Sequence, residues 1–134
     1  ILDSLVINNK IYVSNVKRLD NCLILEIQYS EIMDNLNFSI FKKFEECGTG
    51  YLRGGRLQEY TFEGKKGILI TTADLLKDSP DNRPQEDRSI YGKTIFIDYE
   101  TKSHMIFSKG HRNAQGLFVF ENKIFSTEVM QRGL

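Results

Sequence analysis

The sequence predicts an all-β fold, and three observations carry that reading. Apolar residues recur with the short period of strands, pairs rich in asparagine, aspartate and glycine separate the runs, and the runs fall into groups of four. In the first group the strands are Leu5-Val6-Ile7, Ile11-Tyr12-Val13, Leu23 to Ile27 and Phe38 to Phe41. Asn8-Asn9 suits a tight hairpin, because asparagine tolerates the positive φ such turns demand, and Asp20-Asn21 marks the next reversal. Ser30 to Asn37 fits either a helical turn or a loop between strands.

The second group comprises Arg56 to Phe62, Gly67 to Thr72, Thr94 to Asp98 and Ser103 to Phe107. Glu63 to Lys66 and Glu100 to Lys102 are its hairpin turns. Leu75 to Ile90 contains both prolines, Pro80 and Pro84, many charges and no apolar period, which predicts a long surface loop. A last hairpin runs through Leu117 to Phe120, the turn Glu121-Asn122-Lys123, and Ile124 to Thr127. The units expected are therefore about 1–47, 54–109 and 117–134.

The chain has 134 residues, 40% hydrophobic and 27% charged, which fits one soluble domain able to bury a core. Lys plus Arg number 18 and Asp plus Glu 18, scattered along the chain, which argues against a nucleic-acid partner. No apolar run approaches the ~20 residues of a membrane-spanning helix, and no signal-peptide pattern opens the chain. Gly-rich phosphate loops, Cys/His metal clusters and Gly-x-Ser-x-Gly elbows are missing from the sequence. Asp74, Asp78, Asp81, Glu86 and Asp87 lack the spacing of a calcium loop and read as a solvated face.

Gly110-His111-Arg112-Asn113-Ala114-Gln115-Gly116-Leu117 crowds charged and amide side chains between two glycines. It resembles the Gly-His-Arg-Asn-Pro-Gln-Gly-Leu signature of the glucose/sorbosone dehydrogenase family, with Ala114 in place of proline. The similarity is collinear over residues 54 to 128. It takes in Gly54-Gly55-Arg56-Leu57, Leu69-Ile70-Thr71-Thr72-Ala73-Asp74, Gln85-Glu86-Asp87 with Tyr91-Gly92-Lys93-Thr94-Ile95, and Phe125-Ser126-Thr127-Glu128. Lys10 to Ser14 matches an earlier strand more loosely.

The resemblance implies a β-propeller of six four-stranded blades using pyrroloquinoline quinone and calcium to oxidise aldoses. This length supplies about two and a half blades, so the chain is expected to be an incomplete propeller, a fragment or truncated reading frame. By resemblance Arg112 and Asn113 contact the cofactor, Arg112 through a planar fork of permanently charged donors and Asn113 through its amide. His111 is expected to make an inter-blade hydrogen bond, while Gln115, Gly110 and Gly116 fix the loop backbone.

The family's proton acceptor precedes its Gly-Arg-Leu turn, and that position here is Leu52, flanked by Tyr51 and Arg53, none a base at neutral pH. His104 lies in an outer strand. Where the family binds calcium through Gly-Pro carbonyls, this chain has Met130 and Gln131. No catalytic residue is assigned, and the isolated chain is expected to be inactive. A non-catalytic binding or scaffold propeller is the alternative.

The resemblance also implies a periplasmic or secreted location and a sugar ligand. Cys22 and Cys47, 25 residues apart, are expected as free packed thiols, with a bridge as the alternative in an oxidising compartment. Unpaired strand edges predict self-association.

Overall fold

The computed structural model describes residues 1–48, 54–73 and 83–128. Among the described residues ten strands form three antiparallel sheets and no α-helix occurs. In chain order they are β1 (Asp3–Ile7), β2 (Lys10–Leu19), β3 (Cys22–Glu31), β4 (Ser39–Lys43), β5 (Gly54–Phe62), β6 (Lys65–Thr72), β7 (Lys93–Asp98), β8 (His104–Lys109), β9 (Ala114–Phe120) and β10 (Lys123–Glu128). Each sheet is a meander of sequence neighbours: β1 to β4, β5 to β8, and the pair β9–β10.

The turns follow the chemistry of their residues. Asn8, Asp20, Glu63, Glu121 and Asn122 adopt positive φ, the conformation a two-residue hairpin requires. Ser30 to Asn37 holds no helix; Asn37 N–H donates to the Ser30 hydroxyl at 2.8 Å and Ile32 N–H to the Asn9 carbonyl at 2.9 Å, which fold the segment as a loop.

The middle sheet is covered on both faces, and alternation along its strands decides which residue serves which neighbour. Leu57, Ile68, Ile70, Ile95 and Ile97 pack with Ile7, Tyr12, Leu25, Ile27, Phe41 and Phe44 of the first sheet and its continuation. On the opposite face Tyr60, Leu69 and Phe96 pack with Leu117, Val119 and Ile124 of the third. Every residue of β7 is buried, including Lys93. Burial on both faces explains why β6 and β7 read as nearly continuous apolar runs.

Three expectations require correction. Cys22 and Cys47 form a disulfide, with Cα atoms 5.2 Å apart, so they are not free thiols. The cause is local pairing: Leu23 and Gly48 exchange backbone hydrogen bonds of 3.0 and 2.8 Å, which bring the chain after β4 alongside the start of β3. The segment ending at Ile90 is not wholly a surface loop, since Ser89 and Ile90 are buried and Tyr91, which follows, is only 1% exposed. Gln115 and Gly116 belong to β9 rather than to a loop, and Gly116 pairs with Thr127. Gly110 does adopt a left-handed φ of 81°.

Candidate functional site

The signature residues lie where β8 passes into β9, the connection between the second and third sheets. His111 ties this corner together. Its backbone N–H donates to the Gly92 carbonyl at 3.0 Å, its Nε2 is 2.6 Å from Ser108 Oγ, and its Nδ1 is 2.9 Å from Glu128 Oε1. A carboxylate only accepts, so Nδ1 donates to Glu128 and, in the neutral ring, Nε2 accepts from Ser108. Glu128 also accepts the Arg112 backbone N–H at 3.3 Å. One imidazole thereby links the end of β8 to the end of β10.

A second chain of contacts runs from Asn113 to the first sheet. Gln115 Nε2 donates to Asn113 Oδ1 at 2.6 Å, and Gln115 Oε1 accepts from Arg56 Nη2 at 3.0 Å. Arg56 Nη1 donates to the Leu2 carbonyl at 2.9 Å and lies 3.9 Å from Asp3, whose other oxygen accepts the Leu57 N–H at 2.8 Å. Thr71 reinforces the join: its hydroxyl donates to the Ala114 carbonyl at 3.2 Å and accepts the Arg56 N–H at 3.1 Å. Ser14 Oγ donates to the Gly55 carbonyl at 2.6 Å. Positive φ at Gly54 and Gly55 bends the entry of β5 so that Arg56 can reach both neighbouring sheets.

The sequence reading places Arg56 at the start of a strand after the Gly-Gly turn and gives Gln115 a role in fixing the loop backbone, and it assigns nothing to Asp3. Its one signal was the Gly-Gly-Arg-Leu match. Replacing Arg56 by alanine is expected to lower stability by about 2 kcal/mol, as its charged hydrogen bonds to two sheets are lost. Urea unfolding would show this as a lower midpoint, and lysine would restore little, because an ammonium lacks the guanidinium fork.

A third network closes the segment before β7. Glu46 accepts from Ser89 Oγ and from the Ile90 N–H, both at 2.7 Å, and lies 3.6 Å from Arg83. Lys93, at 0% exposure, donates to the carbonyls of Arg83 at 2.5 Å and Tyr91 at 2.8 Å. Burial holds the Lys93 ammonium below its ordinary pKa. Burial, with Glu46 nearby, pushes the Tyr91 phenol up to about 12, and its hydroxyl donates to the Glu46 carbonyl at 3.1 Å. These groups serve as internal struts.

Arg112 and Asn113 sit in the β8–β9 corner, among contacts made within the chain. Arg112 Nη1 is shielded from solvent, Asn113 Oδ1 is engaged by Gln115, and the Glu128 carboxylate sits against the Arg112 N–H. Leu52, Met130 and Gln131 lie outside the described residues, as do Asp74, Asp78 and Asp81. Glu86 is exposed and Asp87 pairs with Lys109 at 2.9 Å, which lowers the Asp87 pKa. Among the described residues no three His, Cys, Asp or Glu side chains gather around a common point. His104 lies on β8 with its ring 5.1 Å from Phe44, and burial lowers its pKa.

Comparison of the chain with family models, curated proteins and solved structures finds no match.

Proposed function

We propose that this chain is part of a β-propeller resembling the sugar dehydrogenases, in which the signature segment braces neighbouring blades and does not perform redox chemistry. The observation that carries this reading is the reach of the signature's own side chains: His111 to Ser108 and Glu128, and Asn113 through Gln115 to Arg56. The propeller reading is supported by consecutive meanders stacked in chain order and by β5 lying against both β1 and β9, as the first strands of blades do around an axis. A fold does not bring its relatives' chemistry with it, and leucine at position 52 supplies no base.

The purified chain is expected to show no aldose oxidation when supplied with pyrroloquinoline quinone, calcium and a dye acceptor. Turnover that grows with protein concentration and disappears in Arg112→Ala would overturn the reading.

Propeller blades are covered on both faces, yet the outward face of β9–β10 carries Phe118, Phe120 and Phe125 at 58%, 57% and 54% exposure. Phe118 and Phe120 stack at 6.4 Å, and Phe118 stands opposite Phe125. Such a patch favours association; the inward face of the two strands is already taken by the second sheet, and we propose that in the purified chain a second copy covers the outward one. Light scattering should show mass increasing with concentration, and Phe118→Ser with Phe125→Ser should suppress it. A wild-type monomer at every concentration would contradict the proposal.

A further inference from the structure

Residues 83 to 92 are held from two sides. On one side stand Glu46 and Cys47, consecutive residues after β4. The Cys47 carbonyl accepts from Arg83 Nη1 at 3.0 Å. Glu46 accepts from Ser89 Oγ and the Ile90 N–H, both at 2.7 Å, and its carbonyl accepts the Tyr91 hydroxyl at 3.1 Å. On the other side lies the corner between β8 and β9: Asp87 pairs with Lys109 at 2.9 Å, and the Gly92 carbonyl accepts the His111 N–H at 3.0 Å. The Gln85 amide also crowds Gly110, 3.0 Å from where a Cβ there would stand.

What keeps Glu46 and Cys47 in place decides whether this segment stays shut. Phe44 is anchored by burial, and Gly48 by its exchange of hydrogen bonds with Leu23. Between those anchors Glu45 and Cys47 are exposed and Glu46 is half-buried, so their hydrogen bonds compete with water. The bridge to Cys22 is the tie that water cannot replace. Cys47 is exposed and Cys22 half-buried, which puts the bridge within reach of a small thiol.

We propose that the Cys22–Cys47 bridge is a redox-sensitive latch on residues 83 to 92, and through them on the corner at Gly110 and His111. The thiolate of a dithiol reductant attacks the Cys47 sulfur, the S–S bond breaks and Cys22 leaves as a thiolate. The second thiol of the reductant then displaces Cys47. Two electrons and two protons pass to the pair, and the dithiol ends as a disulfide.

With the bridge open, Glu46 is no longer fixed against Ser89 and Ile90. The segment then opens locally while the sheets stay folded, and the Asp87–Lys109 and Gly92–His111 contacts loosen with it. This device stands on the bridge and on Glu46. It needs neither the propeller reading nor a cofactor.

Native-state hydrogen exchange of the intact chain, with and without dithiothreitol and at several low urea concentrations, tests it, the thiols being titrated in each sample. Reduction is expected to speed exchange of the Ile90 amide about tenfold, and of the His111 amide less, at rates that low urea does not change, the mark of local opening. The amides of β6 should instead exchange through global unfolding, with rates that climb with urea. Glu46→Ala with the bridge intact should speed Ile90 exchange as reduction does, and reducing that variant should add less than about twofold there. A bridge that resists dithiothreitol in the folded protein, Ile90 exchange unchanged by reduction, Ile90 rates that track those of β6 in urea, or a further rise of the same size on reducing Glu46→Ala would each overturn the proposal.

Discussion

Cys22→Ser together with Cys47→Ser is expected to remove about 3.5 kcal/mol of stability, the loop-closure entropy of a bridge across 25 residues. The bridge holds residues 44 to 48 beside β3, and that segment supplies Phe44 to the first core and Glu46 to Ser89 and Ile90. Losing it should loosen the contact between the first and second sheets as well as the hairpin end. Urea unfolding with and without reductant measures the difference. Equal midpoints for the double variant and the oxidised wild type would show that the bridge contributes nothing, and two titratable thiols in the unreduced denatured protein would show that it does not form.

Gly67→Ala is the second large effect, expected to cost about 3 kcal/mol and roughly 10 °C in Tm. Gly67 pairs with Asp98 on β7, and a Cβ there would overlap the Ile97 carbonyl oxygen and the edge of the Phe96 ring. The carbonyl belongs to the sheet's backbone and cannot swing aside. Phe96 is held by Tyr60 at 6.2 Å and Phe62 at 5.9 Å, so its ring has little room to yield. The strain would fall on the aromatic layer between the second and third sheets. Thermal unfolding checks this, and a Tm within a degree or two of wild type would mean that the close approach is not maintained in solution.

The strands were legible because short apolar runs end at reversals that use residues able to accept positive φ. Leu23 to Ile27 is such a run, and Asn8 and Asp20 are such residues. The far half of β2 was hidden for the converse reason: Lys17, Arg18 and Leu19 are exposed and carry no alternation, and only pairing with Ile24, Leu23 and Cys22 makes them strand.

Long-range chemistry was less legible. Nothing in the spacing of Cys22 and Cys47 reports that Gly48 pairs with Leu23. Lys93 reads as a polar residue at a strand start, yet two carbonyls from the preceding segment let it be wholly buried. The signature was visible as a cluster of hydrogen-bonding groups; its partners Arg56, Ser108 and Glu128 came from three other strands, and only the fold brings them together.

The central claim is that Arg112 and Asn113 belong to a brace between sheets. Calorimetric titration of pyrroloquinoline quinone into the intact chain with calcium present tests it most directly. The account predicts no saturable heat and no difference between wild type and Asn113→Ala. Saturable binding at a stoichiometry of about one per chain, lost in Asn113→Ala while the fold persists, would contradict it and return these residues to a cofactor site.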